Sequence, residues 1–142
     1  MYMITLKPYS SNLLAFAGLL FIGMGLFFIF IRPPILPEDL VYMESSISNI
    51  AENLPGLTNW LEKVFWVMGG YIFTSGVLTV YISLSSFRAR QRGAFVTVTL
   101  AGISSIGLMT VVNFLIGSDF KWLLFSFMIL WAMALILYIL DK

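Results

Sequence analysis

The sequence predicts an all-α, integral membrane four-helix bundle with an extra amphipathic helix on its outer face, between spans one and two. Three observations carry this: the composition, four long apolar runs, and a single polar stretch with helical periodicity. Of 142 residues, 60% are hydrophobic and 11% charged, and the mean hydropathy is +0.96. Soluble domains hold about 25% charged and about 45–50% apolar residues. A chain of this make-up cannot cover itself with polar surface in water, so lipid must be its solvent. The length suits a single membrane domain, 1–142, with no separate soluble unit.

The first apolar run is 13–31. Ser10, Ser11 and Asn12 stand before it as N-cap residues. At 1.5 Å per residue the run is roughly 28 Å long, enough to cross a bilayer core. It is longer than a signal-peptide core and ends in Ile31-Arg32-Pro33-Pro34 rather than in small residues, so it reads as a retained helix. Ala15, Gly18, Ile22 and Gly25 share one face, where a neighbouring helix can approach closely.

Pro33-Pro34 stops that helix and favours an extended course. Pro37 is placed to begin another, with Glu38 and Asp39 in its first turn against the positive dipole end. Leu40, Met43, Ile47, Ile50 and Leu54 then recur at steps of three and four. Glu44, Ser45, Ser48, Glu52 and Asn53 fill the other face, and Pro55-Gly56 ends the segment. The expectation is one amphipathic helix, 37–54, lying flat as a lid with Leu40, Met43, Ile47 and Ile50 buried beneath it. Asn59-Trp60-Leu61-Glu62 has the form of a capping box for the next helix.

Arg32-Pro33-Pro34-Ile35-Leu36-Pro37-Glu38-Asp39-Leu40, followed by Tyr42-Met43, resembles a loop found after the first span of small four-span bacterial membrane proteins. In size and span layout the chain is also similar to DoxX-like proteins. Both resemblances imply architecture and no particular activity.

Span two, 64–84, is rich in small and hydroxylated residues, and Gly69, Gly76 and Ser83 recur every seven as a close-packing seam. A basic loop with Arg88, Arg90 and Arg92 follows. Span three, 95–116, holds Ser104, Ser105 and one amide, Asn113. A tight connection, Gly117 to Lys121, makes span four, 122–140, its antiparallel neighbour. Span four is bulky and nearly free of small residues, which suits a peripheral, lipid-facing place. The arginine loop belongs in the cytoplasm. Both termini then also lie inside, in agreement with Lys7, and the acidic segment faces outward from the plasma (inner) membrane. Trp60, Trp66 and Trp122 fall at the outer boundary and Tyr138 near the inner one, as interfacial rings do.

Cysteine and histidine are both absent. That excludes disulfides, thiolate nucleophiles, imidazole ligation of haem and any Ser-His-Asp triad. No charged residue lies inside a span, which argues against pumps and proton-coupled transporters. No cofactor, metal or catalytic residue is expected, and a formal charge of +1 makes no case for nucleic acid. Glu38 and Asp39 read as helix-dipole partners. Arg32 has two readings: a corner pinned to those carboxylates by the Pro-Pro turn, or a lipid-phosphate contact. Arg88, Arg90 and Arg92 read as a topology signal that also touches anionic head groups. Asn113 reads as an interhelical hydrogen bond or, less simply, a ligand contact. Met24, Met68, Met109, Met128, Met133 and the many phenylalanines either pack and meet lipid or line an apolar pocket.

Two functions fit. One is a non-enzymatic structural or accessory membrane protein acting through helix–helix contacts, with lipids, other membrane subunits or a second copy as partners. The other is a lidded bundle that binds an apolar lipid or isoprenoid-like ligand.

Overall fold

The computed structural model describes residues 7–140, and every described element is helical. Asp141 and Lys142 lie outside those residues, and so does the side chain of Lys7. The elements are α1 (Lys7–Phe30), α2 (Pro37–Tyr42), α3 (Ile47–Asn53), α4 (Leu57–Ile82), α5 (Ala94–Gly102), α6 (Leu108–Ile116) and α7 (Lys121–Leu140). A π-helical turn, Ser83–Phe87, prolongs α4, and another, Ile103–Gly107, joins α5 to α6 in one rod. Four stretches are long and apolar enough to cross a membrane: Pro8–Phe30, Leu57–Phe87, Ala94–Ile116 and Lys121–Leu140. This is the make-up of a multi-pass membrane protein.

Two expected helix starts are corrected. Helix α1 begins before Ser10 and Ser11, which are fully buried within it rather than capping it. Helix α4 begins at Leu57 with Gly56 before it and no side-chain cap, so Asn59 and Glu62 sit inside the helix. The second span is therefore longer than expected, 31 residues, or roughly 46 Å at 1.5 Å per residue against a ~30 Å core. Its first two turns carry Asn59, Glu62 and Lys63.

The lid is the larger correction. Segment 37–54 is two short helices, with Glu44 between them in the left-handed region at φ 50°. The cause is local hydrogen bonding by small polar side chains, which competes with helix continuation. Ser46 caps α3 by accepting from the Asn49 N–H at 3.2 Å, and Asn49 Nδ2 donates to Ser45 Oγ at 3.1 Å. The break destroys the continuous stripe. Ile50 is buried, whereas Met43 and Ile47 are 43% and 62% exposed and Leu40 is half-buried. Ile50 also stands apart from the main buried cluster.

Helices α1 and α4 pack most intimately, through glycine. A Cβ at Gly25 would come within 2.5 Å of the Phe73 nitrogen, and one at Gly76 within 2.7 Å of the Ile22 nitrogen. Gly18 faces Val80 and the Gly76 carbonyl, and Gly69 faces Ile29 and the Gly25 carbonyl. The expected seams on spans one and two thus meet each other.

The main core lies toward the arginine-loop end. It joins Leu14, Ala17 and Phe21 of α1 to Phe87, Val98, Ile106 and, from α7, Trp131 and Ala134. Helix α7 is the least buried of the four spans, as its bulk suggested, yet one face, Leu124, Trp131 and Ala134, is buried in the core. Trp131 donates its indole N–H to the Val98 carbonyl at 3.1 Å, and its ring fills the space that a Cβ on Gly102 would occupy. At the same end Tyr138 stacks on Phe87 and Phe95, with ring centroids at 4.4 and 5.3 Å.

Candidate functional site

Away from the arginine loop the helices separate. A cavity of about 1050 Å³ opens among α1, α4, the Ile103–Ile116 half of the third span, and α7. Its position follows from the sequence. On α1 the small residues are shared between two faces: Gly18 and Gly25 meet α4, while Gly23 faces the cavity with no atom within 4 Å of a Cβ placed there. The α4 wall is Phe65, Met68, Tyr71 and Ser75, and the opposite wall is Ser104, Ser105, Met109 and Asn113. Leu123 and Phe127 of α7 complete it. The volume is at the upper end of the roughly 300–1,000 Å³ of small-molecule sites.

The hydroxyls in these walls are turned back on their own helices. Ser75 Oγ donates to the Tyr71 carbonyl and Ser104 Oγ to the Leu100 carbonyl, each at 2.8 Å. Asn113 donates to the Met109 carbonyl, one turn back, at 2.9 Å. It makes a hydrogen bond within its helix, not the interhelical bond expected. With the serine hydroxyls engaged in this way, Asn113, one N–H of which is bonded, is the one amide in walls that are otherwise effectively apolar. The π turn at 103–107 sits on this wall, and such turns are frequent at functional sites.

Polar groups gather at one end, where Arg32, Glu38, Asp39 and Ser118 border the cavity. Pro37 opens α2, as expected, and brings both acids back toward Arg32. Arg32 lies 3.4 Å from Asp39 Oδ2, donates to the Pro33 carbonyl at 2.8 Å, and rests on the Phe65 ring 3.5 Å from its centroid. Asp39 also accepts the Leu36 N–H at 2.8 Å. This is the pinned corner, and the same guanidinium borders the cavity. Burial lowers the Arg32 pKa from its ordinary value, an effect that Asp39 and Glu38 oppose by favouring the cation.

Ser118 was not foreseen. It is buried in the turn that Gly117 makes at φ 76°, accepts the Phe120 N–H at 3.2 Å, and donates to Glu38 Oε1 at 3.1 Å. It ties the connection between α6 and α7 to α2 across 80 positions of sequence. A turn serine gives no sequence signal of so distant a partner.

The remaining expected residues are dispersed. Of the lid residues, Leu40, Met43, Ile47 and Ile50 do not line the cavity. Arg88 and Arg92 are exposed. Arg90 instead turns inward, over the Tyr138 ring at 3.7 Å, and donates to the Tyr138 carbonyl. It closes the C-terminal end of α7, where a cation meets the helix dipole favourably. Of the methionines within the spans, Met24, Met68 and Met109 line the cavity, Met128 packs against the core and Met133 is exposed. Among the described residues no group of acids could hold a metal ion.

No protein-family model matches the sequence, and neither a curated protein nor a solved structure matches it significantly.

Proposed function

We propose that this is a non-enzymatic, multi-pass protein of the plasma (inner) membrane that holds an apolar ligand, a lipid or isoprenoid-like molecule, between its helices. The observation that carries the reading is the cavity of about 1050 Å³ with apolar walls and a polar end. Such a space within a bilayer is filled by hydrocarbon, since water finds few partners along walls whose hydroxyls are already bonded. The accessory reading has less support. The small-residue seams that would serve association between chains are engaged within this chain, α1 against α4.

In the proposed orientation the arginine loop and both termini are cytoplasmic, and the hollow half with its polar end faces outward. Reporter fusions after Gly93 should read cytoplasm and fusions within 44–53 the outside; the reverse pattern would invert the site.

The binding test uses gentle detergent purification followed by mass spectrometry of what is retained. The native chain should carry a stoichiometric lipid. Gly23→Leu adds bulk into open space and should lose that lipid while staying folded and monodisperse, giving up only the stability that the bound lipid confers. Equal retention by both would sink the proposal.

A further inference from the structure

The polar end of the cavity also selects among lipids, an inference that rests on the binding reading above. Of the residues lining the cavity, only Arg32, Glu38 and Asp39 are charged, and all three stand at this end. One cation faces two carboxylates. The cation is engaged three ways: by the Pro33 carbonyl at 2.8 Å, by Asp39 at 3.4 Å, and by the Phe65 face at 3.5 Å. Glu38 has only a neutral partner among its hydrogen bonds, the Ser118 hydroxyl at 3.1 Å. The end therefore carries one net negative charge, centred on Glu38, half-buried beside apolar walls where charges are weakly screened.

An anionic head group would meet like charge here, beside an arginine already paired. A head carrying an ammonium meets its complement. A primary ammonium brings N–H donors for the carboxylate, which a quaternary one lacks. The walls run from Arg32 down α1 to Leu19, thirteen residues or roughly 20 Å at 1.5 Å each, a length suited to a long acyl chain. We propose that the cavity takes an ethanolamine-headed phospholipid from the surrounding bilayer, its ammonium on Glu38 and one acyl chain between α4 and the third span.

The test equilibrates the purified full-length chain with equimolar phosphatidylethanolamine, phosphatidylglycerol and phosphatidylcholine of identical acyl chains, then counts each by native mass spectrometry. The native chain should retain the ethanolamine lipid roughly tenfold over the glycerol lipid, as for one charge-assisted hydrogen bond. Glu38→Gln keeps an acceptor for Ser118 and should bring the two lipids to near parity. Glu38→Asp, which keeps the charge, should retain the preference. Equal or better retention of phosphatidylglycerol by the native chain, or an undiminished preference in Glu38→Gln, would overturn the assignment while leaving the cavity reading intact. Retention of none of the three lipids by the native chain would overturn both.

Discussion

Gly25 and Gly23 stand two positions apart on α1 and mark two different kinds of interior. At Gly25 a single added carbon would lie 2.5 Å from the α4 backbone; at Gly23 it would meet nothing within 4 Å. The first belongs to a seam where helices touch backbone to backbone, the second to a cavity. The molecule repeats this contrast along its length. Toward the arginine loop, Trp131, Phe21, Phe87 and Tyr138 fill the space between helices. Toward the acidic segment, α4 and α6 stand apart. A composition of 60% hydrophobic residues does not distinguish these halves, because an apolar wall and an apolar core are made of the same side chains. What separates them is whether large side chains such as Trp131 and Phe87 fill the space between helices; the glycine seam of Gly25 and Gly69 lies beside the cavity, on the other face of α1.

The largest expected effect tests the seam. Gly25→Leu must push α1 off α4, and overpacking of this kind against backbone should cost about 3 kcal/mol or more. Loss of monodisperse protein in detergent is the readout, and Gly76→Leu should behave alike. Gly23→Leu should stay monodisperse, losing only the stabilisation that the bound lipid supplies. Tolerance at Gly25 would remove the distinction between the two faces of α1.

Next comes the packed half. Trp131→Ala empties the space against Gly102 and Phe21 and should cost about 3–5 kcal/mol. Trp131→Phe keeps most of the volume but loses the indole bond to the Val98 carbonyl, at about 0.5–1.5 kcal/mol. Thermal unfolding followed by intrinsic fluorescence or scattering gives both values. If Trp131→Phe cost as much as Trp131→Ala, the hydrogen bond rather than the filling would dominate that half.

The acidic segment sharpens the comparison at smaller scale. Ile50→Asp buries a carboxylate with no partner and should destabilise by about 1–3 kcal/mol, whereas Ile47→Asp, at a position 62% exposed, should be nearly neutral. Single cysteines at 43 and 47 should react with a soluble maleimide, and one at 50 should not. Protection at all three would restore a continuous lid.

Much of the fold was legible because its signals are local. Spans follow from length and apolarity, Pro37 and Gly117 mark real boundaries, and the small-residue faces of spans one and two are evident from their spacing. The break at Glu44 was masked by the periodicity of Leu40, Met43, Ile47 and Ile50. Hydrophobic spacing reports what a helix would gain, not whether Ser45, Ser46 and Asn49 will divert the backbone first. The place of α7, lipid-facing on most of its surface, was legible, but its one buried face was not. Bulk suggested a lipid-facing helix, but bulk is also what a glycine on the neighbouring helix accepts, as Gly102 accepts Trp131. The site was legible only in part. The Arg32 corner followed from the Pro-Pro turn, but Ser118 and Gly23 matter through partners or empty space far away in sequence.

The most direct test is a density map of the native chain in a lipid nanodisc. Helices α4 and α6 should stay apart near Met68 and Met109, with elongated density between them that begins beside Glu38 and Arg32. A dry, closed centre in which Met68 and Met109 pack against each other would contradict it.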